Sequence, residues 1–228
     1  MIDTVLFDLD ETLFDFKKAE RNAIFDTLSH FGVTPTEALA ERYSEIDLAA
    51  WKKLEKGLIN RRELRETRFA DLFGTLSVSV VPNEAADWYE KALGRGKFYM
   101  PGALNLIRTL HGHYRLYIVT NGFRSTQTAR LADTEINALF DGVFISEDIG
   151  FDKPDVRFFE ACFAAIPQFS RDKTVLVGDR IASDIKGAQN AGIRSIWYCP
   201  SRETATGGIR PDYTVFDLCE IPALLHTL

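Results

Sequence analysis

TVLFDLDET, residues 4–12, joins a short β-branched and apolar run to two carboxylates. A continuous apolar run of this kind is typical of a strand buried on both faces of a parallel sheet. Asp8 and Asp10 follow it directly, and doubly wound sheets bind ligands in the crevice outside the carboxyl ends of their strands. Two carboxylates so close repel each other, and a hard cation such as Mg²⁺, bound by oxygen ligands, relieves that repulsion. The stretch predicts a magnesium site; a solvated turn with incidental acids is the alternative on these residues alone.

Further strand-like runs recur along the chain, separated mostly by helical patterns. The strand-like runs are residues 115–119, 143–145, 174–177, 195–199 and 213–216. Segments with apolar residues at three- and four-residue spacing occupy residues 103–110, 125–131, 155–165 and 182–191. This alternation predicts an α/β fold, a doubly wound, Rossmann-like and mainly parallel sheet.

The region after the first run breaks the alternation. Its periodicity predicts four helices, near residues 17–31, 35–56, 61–73 and 83–94, separated by turn signals. We therefore expect an α/β core formed by residues 1–16 and 97–228, interrupted by an all-helical four-helix bundle of residues 17–96.

The composition excludes several classes of partner and location. The 228 residues carry 33 acidic and 27 basic side chains, a formal charge of -6, which argues against a protein that binds a nucleic acid polymer through its phosphates. No apolar stretch approaches the ~18–20 residues of a membrane span, and the N-terminus lacks the basic and apolar regions of a signal peptide. Three widely spaced cysteines form no CxxC pair. We expect a cytoplasmic protein without a membrane partner, either a monomer or a homodimer.

Polar groups follow the second core strand as well. Thr120 offers a hydroxyl, Asn121 an amide, and Gly122 lets backbone N–H groups approach an anion, although Asn-Gly is also a common turn. Farther on, Lys153 precedes a proline. A lysine there could neutralise a phosphate or pair with a carboxylate, and an ordinary surface lysine is the alternative.

A third strand also runs into acidic residues. Asp179 follows the run 174–177, and Asp184 lies five residues on, near the start of a helix, where an N-capping role is the alternative. Because three strands deliver polar groups to the same end of one sheet, we predict that these groups form a single site.

Four ordered motifs together resemble the haloacid dehalogenase superfamily of phosphohydrolases. They are Asp8-x-Asp10-x-Thr12, Thr120-Asn121, Lys153-Pro154 and Gly178-Asp179-x-x-x-x-Asp184. The helical insert is similar to that superfamily's helical cap of the first type. DETLFD, TNGF and ISEDIGFDKP look most like its branch of pyrimidine 5′-nucleotidases and nucleotide house-cleaning phosphatases.

The resemblance implies roles for the acidic residues. Asp8 would be the nucleophile that forms an aspartyl-phosphate, and Asp10 would protonate the leaving oxygen and then activate water. Mg²⁺ would be held by Asp8, by the backbone carbonyl of Asp10 and by Asp179, with Asp184 in the outer shell or bound through water.

It also implies roles for the remaining residues. Thr120, Asn121 and Gly122 would bind phosphoryl oxygens, and Lys153 would supply a fixed positive charge. The candidates for substrate contact are three aromatic residues near the motifs, namely Phe14, Phe16 and Phe123.

The expected function is that of a Mg²⁺-dependent phosphomonoesterase acting on small phosphorylated metabolites, with nucleoside 5′-monophosphates as the preferred class. A sugar-phosphate phosphatase or phosphomutase is an alternative, and a non-catalytic protein that binds a phosphorylated ligand is a remote one. Asp10 weighs against a haloacid dehalogenase or phosphonatase, because those relatives usually lack an acid at its position.

Overall fold

The core of the protein is one parallel sheet. A computed structural model describes residues 1–76, 78–205 and 207–228. Within these residues six strands pair in the order β3-β2-β1-β4-β5-β6, all parallel. The strands are β1 (Thr4–Phe7), β2 (Arg115–Thr120), β3 (Gly142–Ile145), β4 (Thr174–Gly178), β5 (Arg194–Tyr198) and β6 (Tyr213–Val215). The helix-flanked parallel sheet confirms the predicted fold class.

The chain divides into two compact units. The α/β unit comprises Met1–Asp15, Phe98–Gln127 and Leu131–Leu228. The helical unit comprises Phe16–Lys97 together with Thr128–Arg130. It thus extends one residue beyond each end of the predicted insert and includes a three-residue segment that we expected in the core.

Two contacts explain why that distant segment groups with the helical unit. A Cβ atom added at Gly94 would lie 2.9 Å from the Cβ of Ala129, so glycine allows the two backbones to approach closely. Arg130 is fully buried, and its Nε donates a hydrogen bond to the carbonyl of Gly96 at 3.1 Å. Contacts of this kind join residues more than thirty positions apart and leave no periodic signal in the sequence.

Four long helices lie in the described part of Phe16–Lys97. They are α1 (Phe16–His30), α2 (Glu37–Glu55), α3 (Arg61–Phe73) and α4 (Pro82–Gly94). A capping box begins α3: Asn60 accepts from the backbone N–H of Glu63, and the Glu63 carboxylate accepts from the backbone N–H of Asn60. None of the helices in the described part of the chain combines the length and apolar content needed to span a lipid bilayer.

A buried ion pair lies inside the helical unit. Arg68 donates to Asp47 at 2.8 Å, and both side chains are almost completely buried. The guanidinium lies 5.1 Å from the ring centroid of Tyr89, which packs against Tyr43 and Phe69. Because a buried charge is costly without its partner, this pair ties α2 to α3.

Shorter helices cover the sheet of the α/β unit. They are α5 (Ala103–Leu110), α6 (Arg124–Leu131), α7 (Glu135–Ala138), α8 (Ser146–Ile149), α9 (Val156–Ala165), α10 (Lys186–Ala191) and α11 (Ile221–Leu225). Short 3₁₀ turns occupy Arg171–Lys173 and Leu218–Glu220, and a π-helical turn occupies Ile181–Ile185.

The alternation of side chains along β1 builds a core on each face of the sheet. Val5 and Phe7 belong to a cluster that includes Ile107 of α5, whereas Leu6 belongs to another that includes Phe158 of α9. Burying each such side chain contributes about 1.5–3 kcal/mol. Apolar packing on both faces therefore holds β1 in the centre of the sheet.

Candidate functional site

The carboxyl ends of β1, β2 and β4 meet at one edge of the sheet. The parallel register pairs Phe7 with both Ile118 and Val177, so the residue after β1 lies beside the ends of its two neighbours. That residue is Asp8, whose backbone N–H donates to the carbonyl of Val177 at 2.9 Å. The strand order reverses between β1 and β4, and a reversal of this kind opens the crevice in which doubly wound folds bind ligands.

Lys153 lies at the centre of this edge. Its Nζ donates to Asp8 Oδ1 at 2.6 Å, to Asp184 Oδ1 at 2.7 Å and to the carbonyl of Val119 at 2.8 Å. An ammonium has three donors, so all are used. Burial alone would lower the pKa of Lys153, but the charges of Asp184 and Asp8 outweigh it and raise the pKa above its ordinary value. The residue is a buried cation rather than a surface lysine.

Asn121 holds the backbone of this lysine. Its Nδ2 donates to the Lys153 carbonyl at 2.9 Å, and its Oδ1 accepts from the Lys153 N–H at 2.9 Å. Both ends of the amide are thus engaged, and they connect the end of β2 to the segment before α9.

Three carboxylates cluster at this edge of the sheet, and two of them, Asp8 and Asp184, contact the ammonium. Asp8, Asp179 and Asp184 each offer an oxygen within 4.8 Å of the others. Burial raises the pKa of Asp8 to about 7 against the opposing charge of Lys153, and the charge of Asp184 adds to the rise. Burial, followed by the charges of Asp8 and Asp184, also raises the pKa of Asp179 well above its usual range.

The donor set fits a hard divalent cation. Three carboxylates and one ammonium carry a formal charge of -2 when all are ionised. Oxygen-only ligands are those that Mg²⁺ prefers, and a cation there would offset both the burial of these carboxylates, which is the main cause of the raised pKa values, and the repulsion among them. The Asp10 side chain does not belong to this group of three carboxylates.

The segment after β4 is packed tightly around Asp184. Its Oδ2 accepts from the Arg180 N–H at 3.0 Å. A Cβ atom added at Gly178 would lie 2.5 Å from the Asp184 Cβ and Cγ, so only glycine fits there without displacement. Trp197 Nε1 donates to the Asp179 carbonyl at 2.7 Å, and the Thr12 hydroxyl lies 3.5 Å from Asp179 Oδ1. These contacts fix both aspartates from outside the carboxylate cluster.

Asp10 and Thr120 are joined by a residue that the motifs did not indicate. Gln127 Nε2 donates to Asp10 Oδ2 at 2.7 Å and to Thr120 Oγ1 at 3.0 Å. The same hydroxyl oxygen accepts from the Gly122 N–H at 3.1 Å. Gln127 therefore connects the first and second motifs.

The three aromatic candidates lie in different surroundings. Phe14 has no exposed surface, belongs to the main core cluster and packs against Tyr99 with ring centroids 5.3 Å apart. This placement gives Phe14 a packing role, and we propose no substrate contact for it. Phe123 is 8% exposed at the start of α6. Phe16 is half-buried in the helical unit, where the Arg130 guanidinium lies 5.7 Å from its ring.

Comparison with known proteins identifies the family. Residues 2–192 match the model of haloacid dehalogenase-like hydrolases. The chain belongs to this family. The resemblance inferred from the four motifs is confirmed.

Curated relatives within the haloacid dehalogenase-like hydrolases cover nearly the whole chain. HAD-hydrolase YfnB of Bacillus subtilis is 34% identical over 98% of this chain and 95% of its own. Pyrimidine 5′-nucleotidase PynA of Streptococcus pneumoniae is 38% identical over 93% and 90%, and pyrimidine 5′-nucleotidase YjjG of Escherichia coli is 30% identical over 98% and 97%. The crystal structure of YfnB bound to magnesium aligns with a TM-score of 0.93, covering 98% of each chain.

In this haloacid dehalogenase-like hydrolase, direct contacts link the predicted residues. Lys153 contacts Asp8 and Asp184, and Asn121 contacts Lys153, so all four motifs share one hydrogen-bonded network. The sequence does not indicate Gln127 as a site residue, because a single glutamine on an amphipathic helix forms no motif with its neighbours. Its only signal is its position in the first turn of the helix that follows the second motif.

Proposed function

We propose that the chain is a Mg²⁺-dependent phosphomonoesterase that hydrolyses small phosphorylated metabolites, with nucleoside 5′-monophosphates preferred. The observation that carries the proposal is the position of Asp8 at the end of the central strand, with Oδ1 2.6 Å from Lys153 Nζ and a second acid, Asp10, two residues on. The pyrimidine 5′-nucleotidases among the relatives support the preference for nucleotides.

The reaction would proceed in two displacements. A carboxylate oxygen of Asp8 attacks phosphorus, and the bond from phosphorus to the leaving alcohol oxygen breaks while Asp10 gives that oxygen a proton. Water then attacks the aspartyl-phosphate, Asp10 takes a proton from the water, and the Asp8 carboxylate and inorganic phosphate are released. The proton that Asp10 gives in the first displacement is replaced by the one that it takes in the second, so the cycle ends with Asp10 in its starting state.

The metal would be held by groups at the same strand ends. We assign it to the carboxylates of Asp8 and Asp179 and the backbone carbonyl of Asp10, with Asp184 in the outer shell or bound through water. When bound, the cation would stabilise charge on the transferring phosphoryl group and offset repulsion between the substrate and the carboxylates.

The chain's own groups would hold the phosphoryl oxygens. Because Thr120 Oγ1 accepts two hydrogen bonds, its own proton is directed elsewhere and can be donated to substrate. Lys153 donates all three of its protons within the protein, so we assign it a fixed positive charge beside the nucleophile. Asn121 supports that charge through the Lys153 backbone.

Leaving-group selection is assigned to the helical unit. We propose that this unit acts as the cap of the phosphatase and that Phe16 and Phe123 contribute aromatic surface to a nucleobase, since every base has a face that can stack on a ring.

The test is phosphate release by the purified chain from a panel of uridine, cytidine and adenosine 5′-monophosphates, glucose 6-phosphate and glycerol 3-phosphate. We expect the highest kcat/KM for a pyrimidine nucleotide, loss of turnover in EDTA and recovery with Mg²⁺. Asp8→Asn should abolish turnover, and Asp71→Asn, an exposed change on α3, should leave it unaltered.

Other results of these assays would favour the alternative functions. Isomerisation of a sugar phosphate that depends on a bisphosphate, without free phosphate, would make the chain a phosphomutase. Ligand binding without turnover of any ester would make it a binding protein. Turnover that persists without divalent metal would contradict the proposed mechanism.

A further inference from the structure

Gln127 is a buried amide that joins two catalytic motifs. It lies on α6, is 1% exposed, and donates through Nε2 to Asp10 Oδ2 at 2.7 Å and to Thr120 Oγ1 at 3.0 Å. The donor is buried and Asp10 is half-buried, and a hydrogen bond to a carboxyl group in such partly dry surroundings is stronger than one in water.

The chemistry of the partners fixes the orientation of this amide. Asp10 Oδ2 can accept a hydrogen bond whether or not the other carboxyl oxygen carries a proton, so the NH₂ group of Gln127 faces Asp10. That group has two hydrogens, one for Asp10 and one for Thr120. Gly122 leaves room for it, because a Cβ atom added there would overlap the Gln127 side chain.

We infer that Gln127 is a positioning residue that holds the carboxyl group of Asp10 and the hydroxyl of Thr120 in one fixed arrangement. The inference rests on the proposed phosphatase function, in which Asp10 protonates the leaving oxygen and Thr120 binds the phosphoryl group. A hydrogen bond to Oδ2 restricts rotation of the Asp10 carboxyl, and the bond to Thr120 Oγ1 directs the hydroxyl proton away from α6. One amide thereby couples the alignment of the acid to the alignment of the phosphoryl group.

This role has a consequence that a merely structural residue lacks. Protonation by a positioned acid matters for a poor leaving group such as the 5′-oxygen of a nucleoside, whereas 4-nitrophenolate leaves with little assistance. Misalignment of Asp10 should therefore slow the first class of ester and spare the second.

The experiment measures kcat for uridine 5′-monophosphate and for 4-nitrophenyl phosphate with saturating Mg²⁺. For Gln127→Met, which keeps the length of the side chain and removes its donors, we expect kcat for the nucleotide to fall about 10- to 100-fold and kcat for the aryl ester to fall less than about 3-fold. Gln127→Glu should give the same selectivity with a larger loss, because it places a second carboxylate against Asp10. Gln189→Met removes an exposed glutamine on α10 and should change neither rate.

Each result decides between positioning and packing. Equal losses for both esters, or no loss for either, would overturn the inference while wild-type turnover left the proposed function standing. If the wild-type chain hydrolysed neither ester, the proposed function itself would fail, and the inference would fall with it. Thermal unfolding of every variant, monitored by circular dichroism, distinguishes a misfolded protein from a folded one in which Asp10 is misaligned. If Gln127→Met unfolds at a lower temperature than the wild type, Gln127→Glu supplies the comparison.

Discussion

Replacing Lys153 with methionine tests whether the buried ammonium holds the site together. The substitution keeps a long unbranched side chain and removes the charge that lies between Asp8 and Asp184. Lys153 is 2% exposed and Asp184 is fully buried, so water cannot replace the lost donors without entering the core. The variant would leave two buried carboxylates next to each other with no cation between them.

The structure supports a large effect. Removing one partner of a buried ion pair costs about 3–5 kcal/mol, because the remaining charge stays uncompensated. Chains of 150–250 residues lose about 2–4 °C of Tm for each kcal/mol, so the expected decrease is about 6–20 °C. Turnover should also be lost, since Asp8, the nucleophile of the proposed mechanism, loses its fixed positive neighbour.

The assay is thermal unfolding in EDTA and again in excess Mg²⁺, with Lys53→Met as the matched control. Lys53 is exposed on α2, and its replacement should change stability by less than about 0.5 kcal/mol. In the Lys153 variant Mg²⁺ should restore more of the Tm than it adds to the wild type, because the cation supplies part of the missing charge. A Tm in EDTA that equals that of the control would refute the reasoning.

Two further substitutions test packing in each unit. Gly178→Ala should destabilise the α/β unit by about 1–3 kcal/mol, because the new Cβ would lie 2.5 Å from Asp184 atoms; an unchanged midpoint of urea unfolding would show that the segment can move aside. Arg68→Met should cost the helical unit about 3–5 kcal/mol, because it leaves Asp47 buried without its partner. The control is Arg62→Met, at an ion pair whose arginine is 84% exposed, and it should cost less than about 0.5 kcal/mol. Equal decreases in Tm would contradict the assignment of Arg68 as the stabilising cation.

The strands and the strand-end residues could be read from the sequence because both follow local rules. The predicted run 174–177 differs from β4 only by the inclusion of Gly178, since continuous apolar runs end where a buried strand ends. Parallel pairing then brings the residues after β1 and β4 to the same edge without any further information.

Long-range packing could not be read in the same way. Phe14 lies next to the first motif, which suggested a substrate contact, yet its ring fills the core against Tyr99. Gln127 contacts Asp10 across 117 positions in the chain, and the grouping of Thr128–Arg130 with the helical unit depends on contacts with Gly94 and Gly96. Such contacts depend on which helix face meets which strand, and periodicity does not specify that.

The central position of β1 also determines how the site responds to fluctuations. All four of its residues are buried and hydrogen-bonded to strands on both sides, whereas β3 and β6 at the edges are partly exposed. Edge strands open at low free energy, and the amides of a central strand exchange with solvent only when the whole domain unfolds. Local opening of β3 or β6 would therefore leave Asp8 in place. In a heated or crowded cell, the fraction of the protein that is active would follow the fraction that is globally folded.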